Sequence, residues 1–226
     1  MEISAILLAR SIALFDVAEL NPRGKVFFPK LVPMLVERFS FQKYPAKPED
    51  FDSSKGIAFD DGYFDGQTVS NLTIYNDGIK IDVHSSTEDG KLLIRNTLRW
   101  LVEEVGITYS DQLIKRWGYL SQIIFHSDID LDVIHPALQI LGREVSTQIE
   151  ARTGLPLLFK TSGVSFNFDR VNGDIPISNF SIERRAKTLQ SEGKYFSAAP
   201  LETEPHINLL REFEGNIRDH NTNRSR

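Results

Sequence analysis

Gly56-Ile-Ala-Phe-Asp60 and Gly163-Val-Ser-Phe-Asn167 decide the fold. They share the pattern Gly-h-x-Phe-[Asp/Asn], where h is apolar, at an offset of 163 − 56 = 107. Soon after each comes a second shared pattern. Val69-Ser-Asn-Leu-Thr-Ile74 matches Ile177-Ser-Asn-Phe-Ser-Ile182 at 177 − 69 = 108. Upstream, Pro29, Leu31 and Glu37 align with Pro136, Leu138 and Glu144 at 107, and Phe15 with Phe125 at 110. Downstream, Leu93 and Leu210 differ by 117. Ordered matches at a nearly constant offset are the mark of internal duplication.

Periodicity assigns the same elements to each copy. Residues 5–19 suit a first strand. Apolar positions 28, 31, 32, 35, 36 and 39 form a helical stripe over 27–40, with Pro29 in its first turn. Strands are expected at 56–60, 68–75 and 79–85. The last two are joined by Asn76-Asp-Gly78, a hairpin turn. A helix over 87–105 stops at Gly106. The second copy predicts a strand at 119–126, a helix at 134–152 and strands near 157–169, 178–188 and 194–199. A last helix follows at 203–218. The fold class is therefore α+β, an internal duplication of a β-α-β-β-β-α unit. The repeats are expected at 1–108 and 109–218, and residues 219–226, which contain no apolar side chain, as a disordered tail.

Two such units side by side form one curved antiparallel sheet with helices packed on one face. That layout resembles the duplicated saddle of the TATA-box-binding proteins, or a helix-grip fold. The resemblance is one of element order and carries no motif of either family.

Composition narrows the function. The 226 residues are 41% hydrophobic and 25% charged, an ordinary globular balance. Without cysteine there is no disulfide framework, thiolate metal site or cysteine nucleophile. No stretch has the length of a membrane span, and the first ten residues lack a basic leader, so a cytoplasmic protein with no membrane partner is expected. A net charge of −5 disfavours nucleic acid as a partner.

Strand alternation leaves one sheet face for binding. Tyr75, Lys80 and His84 lie on that face in the first copy. Arg184, Arg185 and Lys187 form a basic cluster on a strand of the second. These six are the expected binding residues, on a polar sheet face or in the cleft between repeats. Metal candidates are two carboxylate groups, Asp60, Asp61 and Asp65, and His126 with Asp128 and Asp130. Turn chemistry and helix capping also account for those aspartates. Gly-x-Ser-x-Gly, His-Glu-x-x-His and the phosphate-cradling glycine motifs are absent, so no catalytic residue and no cofactor are assigned. The expectation is a non-catalytic interaction protein, a subunit or adaptor of a larger bacterial or phage-linked assembly, with another protein as its partner. A metal-dependent hydrolase or nuclease and a nucleic-acid binder are the alternatives. Ser70-Asn71 and Ser178-Asn179 recur in both copies and read as scaffold. Features of one copy only are the better functional candidates.

Overall fold

A computed structural model describes residues 1–168, 177–188 and 192–224. The first copy comprises β1 (Glu2–Leu14), α1 (Leu31–Phe39), β2 (Ile57–Phe64), β3 (Gln67–Tyr75), β4 (Gly78–Val83) and α2 (Thr87–Val105). The second comprises β5 (Arg116–His126), α3 (Pro136–Thr153), β6 (Gly163–Phe166), β7 (Phe180–Arg184), β8 (Lys194–Ala199) and α4 (Thr203–Arg224). The β-α-β-β-β-α order thus occurs twice. The strands form one antiparallel sheet in the order β2-β3-β4-β1-β5-β8-β7-β6. That order reads the same in either copy outward from the β1–β5 pair. It is the layout of the two-fold saddle, not of a sheet gripping one helix.

Local chemistry places the elements. Ser86 caps α2, its hydroxyl accepting from the Asp89 amide at 3.0 Å, and Gly106 ends the helix at φ +71°. Pro33 lies in the first turn of α1, where its missing N–H costs no helical bond. Gly78 begins β4 because a Cβ there would stand 2.2 Å from the Ala13 carbonyl of β1. Several boundaries differ from the sequence reading, among them that of β6, expected over 157–169 and found at Gly163–Phe166. β1 ends at Leu14, and Val17–Leu20 turns into a short 3-10 helix. β7 ends at Arg184, so Arg185 and Lys187 belong to the turn that follows, with Lys187 at φ +64°. α4 runs to Arg224, through most of the stretch expected to be a disordered tail.

The two halves meet around β1 and β5, which pair from Glu2↔His126 to Leu14↔Arg116. Behind this pair, the first turns of α2 and α4 face each other. The Thr87 amide donates to Thr203 Oγ1 at 2.9 Å, and the Thr203 amide donates to Thr87 Oγ1 at 2.7 Å. Both residues are buried. First-turn amides have no intrahelical acceptor, so each threonine satisfies an orphan donor of the opposite helix. The two are equivalent by 203 − 87 = 116. On that register Leu210 is the counterpart of Ile94, both fully buried, rather than of Leu93.

The central strands repeat one feature and vary its partner. Ser11 of β1 and Ser121 of β5 are equivalent (121 − 11 = 110), and both are fully buried. Ser11 Oγ donates to the Thr87 carbonyl at 2.7 Å, and Gly90 lets α2 approach: a Cβ there would lie 3.0 Å from Ser11 Oγ. The α4 counterpart of Gly90 is His206 (206 − 90 = 116). Its Nδ1 lies 2.5 Å from Ser121 Oγ and its Nε2 2.8 Å from Ser197 Oγ of β8. Ser197 already donates to the Ser181 carbonyl at 2.7 Å. Its oxygen therefore accepts from Nε2–H, and Ser121 donates to Nδ1. The imidazole is neutral, and burial lowers its pKa from 6.5 to about 4.

The core is uneven. Phe39, Phe59, Leu35, Ile81, Ile94 and Leu98 centre a large cluster between the sheet and α1 and α2. The second copy has a small one, Phe125, Ile129, Leu131, Ile182, Tyr195 and Leu210. α3 buries no residue. The chain after it folds back along it, with the Phe159 amide donating to Ser146 Oγ at 2.9 Å. Leu141, Leu155, Leu157 and Leu158 are exposed there.

Three outcomes are expected. Thr87→Val leaves the buried Thr203 amide without its acceptor and lowers stability in urea unfolding by about 1–3 kcal/mol. Thr87→Val with Thr203→Val costs less than the sum of the two single losses. His206 carries a depressed pKa, so its share of stability is complete above pH 6.5 and is lost as pH falls toward 4. Between pH 7 and pH 4 the wild type should lose on the order of 3 kcal/mol more than His206→Gln, read as the difference between their urea midpoints.

Candidate functional site: the open sheet face and its polar end

Helices cover one face of the sheet. On β1 the buried residues are Ala9, Ser11 and Ala13; on β5 they include Ser121, Ile123 and Phe125. Alternation therefore turns Leu8, Arg10, Ile12 and Leu14 to the open face, with Leu120, Gln122 and the buried Ile124 beside them. β8 adds Phe196 and Ala198, paired with Ile124 and Gln122. The middle of the open face is thus mainly apolar, with Arg10 and Gln122 set into it. The polar face expected from the hairpins describes its flanks alone.

From β1 outward, the first copy carries a set of paired charges. Arg10 holds Asp82 through two bonds, Nε to Oδ1 at 2.7 Å and Nη2 to Oδ2 at 2.8 Å. Lys80 stands 3.8 Å from Asp82 Oδ2. The bond to Asp82 raises the Arg10 pKa, whereas burial lowers that of Lys80 more than Asp82 restores it. Asn71 donates to Asp60 Oδ1 at 2.7 Å and accepts from Thr73 Oγ1 at 2.7 Å. Tyr75 closes this flank at the hairpin, beside Gly56, where a Cβ would meet its ring at 2.5 Å. Of the expected binding residues, Tyr75 and Lys80 are on this face. His84 lies just past β4 and is exposed.

The expected basic strand in the second copy does not present one surface. Arg184 points to the helix side, over the Tyr195 ring at 5.3 Å and 3.5 Å from Asp130. Arg185 and Lys187 are exposed in the turn beyond. The reason is the short strand: once β7 ends, alternation no longer governs side-chain direction.

Arg184 instead joins an open polar cleft of about 890 Å³ at the end of β5. His126, Asp128 and Asp130 line it too, with Lys160, Glu192 and Arg218, which the sequence did not single out. Both aspartates there are engaged. Asp128 pairs with Arg218 at 2.6 Å, which holds its pKa below the ordinary value. Burial alone would raise Asp130, but the Asp132 amide and Lys160, at 3.2 Å, outweigh it, and its pKa is lowered. Behind them Glu214 accepts from Ser127 Oγ and from the Met1 amine at 2.8 Å. The His126 ring nitrogen meets the Glu192 carbonyl at 3.1 Å.

The aspartates named as metal candidates each have other roles in this arrangement. Asp61 pairs with Lys43 at 2.8 Å, Asp60 takes its bond from Asn71, and Asp65 sits in the β2–β3 turn at φ +49°. The second group spends its carboxylates on Arg218, Lys160 and Arg184. Among the described residues no three His, Asp or Glu side chains converge as a ligand set. Nor, among them, is any helix long and apolar enough to cross a membrane.

No family model matches the chain. No curated protein matches it either. Among solved structures it is similar to the Methanococcus jannaschii TBP, with 15% identity and a TM-score of 0.47, over 97% of this chain and 99% of that one.

Proposed function

We propose that this chain is a non-catalytic binding protein that seats another polypeptide on the open face of its sheet, as a subunit or adaptor of a larger assembly. The observation that carries this reading is the apolar centre of that face. Leu8 and Ile12 of β1, Leu120 and Ile124 of β5 and Phe196 of β8 share that face, with Arg10 opposite Leu120 and Gln122 opposite Leu8 among them. A contiguous apolar patch rimmed by polar groups is the anatomy of a protein interface. Polar contacts come from Arg10 and Gln122 within it and from Lys80, Asp82 and Tyr75 toward its rim.

The charges favour protein over nucleic acid. Binding along a phosphate backbone needs cations free to displace counterions. Here Arg10 and Lys80 share Asp82, Glu183 stands on the β7 flank, and the whole chain carries −5. The exposed leucines of α3 and the segment after it add a second apolar surface, and it too suits a protein neighbour.

The test replaces Ile12 or Leu120 with a photo-crosslinking residue in the source cells. One recurrent protein adduct at both positions is expected. Leu120→Glu should weaken capture of that protein by about tenfold or more, with the melting temperature nearly unchanged. A nuclease-sensitive adduct, or a gel shift whose affinity falls steeply with salt, would replace this reading with a nucleic-acid one.

A further inference from the structure

On the other side of the sheet the large core of the first copy is incompletely filled. A cavity of about 100 Å³ lies between α1, α2 and the helix-side residues of β3 and β4. Leu35, Ile81 and Leu98, each 1% exposed, are among its walls. Of its sixteen lining residues only Asn21 and Thr97 carry polar side chains. Both are engaged elsewhere. Thr97 Oγ1 donates to the Leu93 carbonyl at 2.7 Å, which leaves its methyl to the cavity. Asn21 Nδ2 donates to the Val26 carbonyl at 2.7 Å, and its Oδ1 accepts from the Val26 amide at 3.1 Å. A water inside would find almost no partner, so the space stays dry.

Protein interiors pack closely, and an empty apolar void costs stability in proportion to its volume. This one also adjoins the surface. An open groove on the outside shares Val17, Asn21, Phe28 and Ile74 with it. Between cavity and groove runs the irregular segment from Asn21 to Phe28, closed on itself by the Asn21–Val26 bonds. Phe28 packs edge-to-face on Phe51 of the groove at 6.3 Å. The barrier there includes this short loop and the Phe28 ring, with Val17 and Ile74 lining both sides.

We propose that the first copy binds a small apolar group in this cavity, an aromatic ring or a short hydrocarbon tail, reached from the groove beside Phe28. The volume sets the class. A dry apolar cavity of about 150 Å³ in another protein takes benzene or xenon. The space here suits one ring or a short alkyl chain, with any polar remainder of the molecule left in the groove among Asp16, Ser53 and Asn76. This site lies across the sheet from the proposed protein-binding face, and neither depends on the other.

Benzene is the probe. Near saturation it should raise the melting temperature of the full chain by about 2–5 °C. It should also shift the methyl resonances of Leu35, Ile81, Ile94 and Leu98 while leaving those of Leu141 and Leu158 in place. Leu98→Phe fills the space and should abolish both effects. Leu35→Phe fills it from the opposite wall if the first variant does not fold. No thermal shift, methyl shifts spread over the exposed leucines of α3, or an undiminished response in a folded filled variant would each overturn the proposal.

Discussion

Everything in this molecule hangs on the antiparallel pairing of β1 with β5. It joins two copies that are far apart in sequence, and it brings their last helices nose to nose behind the sheet. Two helix N-termini in contact set like partial charges and unpaired amides against each other. Thr87 and Thr203 resolve the amides by exchanging hydroxyl acceptors, and Glu88, Asp89 and Glu204 in the first turns answer the charge. The reciprocity is possible because the two residues occupy equivalent places about the central pair.

Equivalence ends one turn further on. Gly90 lets α2 press against Ser11, while His206 holds α4 to Ser121 and Ser197 through its ring. One half closes by backbone approach and a large apolar cluster, the other by a buried neutral imidazole and a smaller one. The divergence continues at α1 and α3. α1 buries Leu31, Val32, Leu35 and Phe39 against the sheet, whereas α3 buries none. The first half consequently has core to spare and encloses a cavity, and the second exposes apolar residues and opens into a polar cleft.

Much of the fold was legible in the residues. Asn76-Asp-Gly78 named its hairpin, and Gly106 marked the end of α2, because turns and caps are local chemistry. The repeated Gly-h-x-Phe pattern and the Phe15–Phe125 match located the duplication. The register of the last helix was read one residue off, since Leu93 and Ile94 are both buried and only the Thr87–Thr203 exchange shows which of them Leu210 matches. The site was less legible. Tyr75 and Lys80 could be assigned to the open face because a hairpin fixes its own alternation. Leu8, Ile12, Leu120 and Phe196 could not, since an apolar residue in a strand looks the same whether it meets a helix or nothing. Lys160 and Arg218 were invisible as partners of Asp130 and Asp128, being 30 and 90 residues away.

What the sequence determined by itself is the repeated order of elements, because periodicity, capping and turn residues act over a few positions at a time. What only the tertiary structure decided is which surfaces remain uncovered and which charges are already spent. Helices fall on one side of the sheet, so identical alternation yields core on that side and an open apolar strip on the other. Carboxylates that looked like metal ligands along the chain acquire arginine and lysine partners across it. Both outcomes depend on contacts between residues distant in sequence, and the long-range pairing of β1 with β5 sets them.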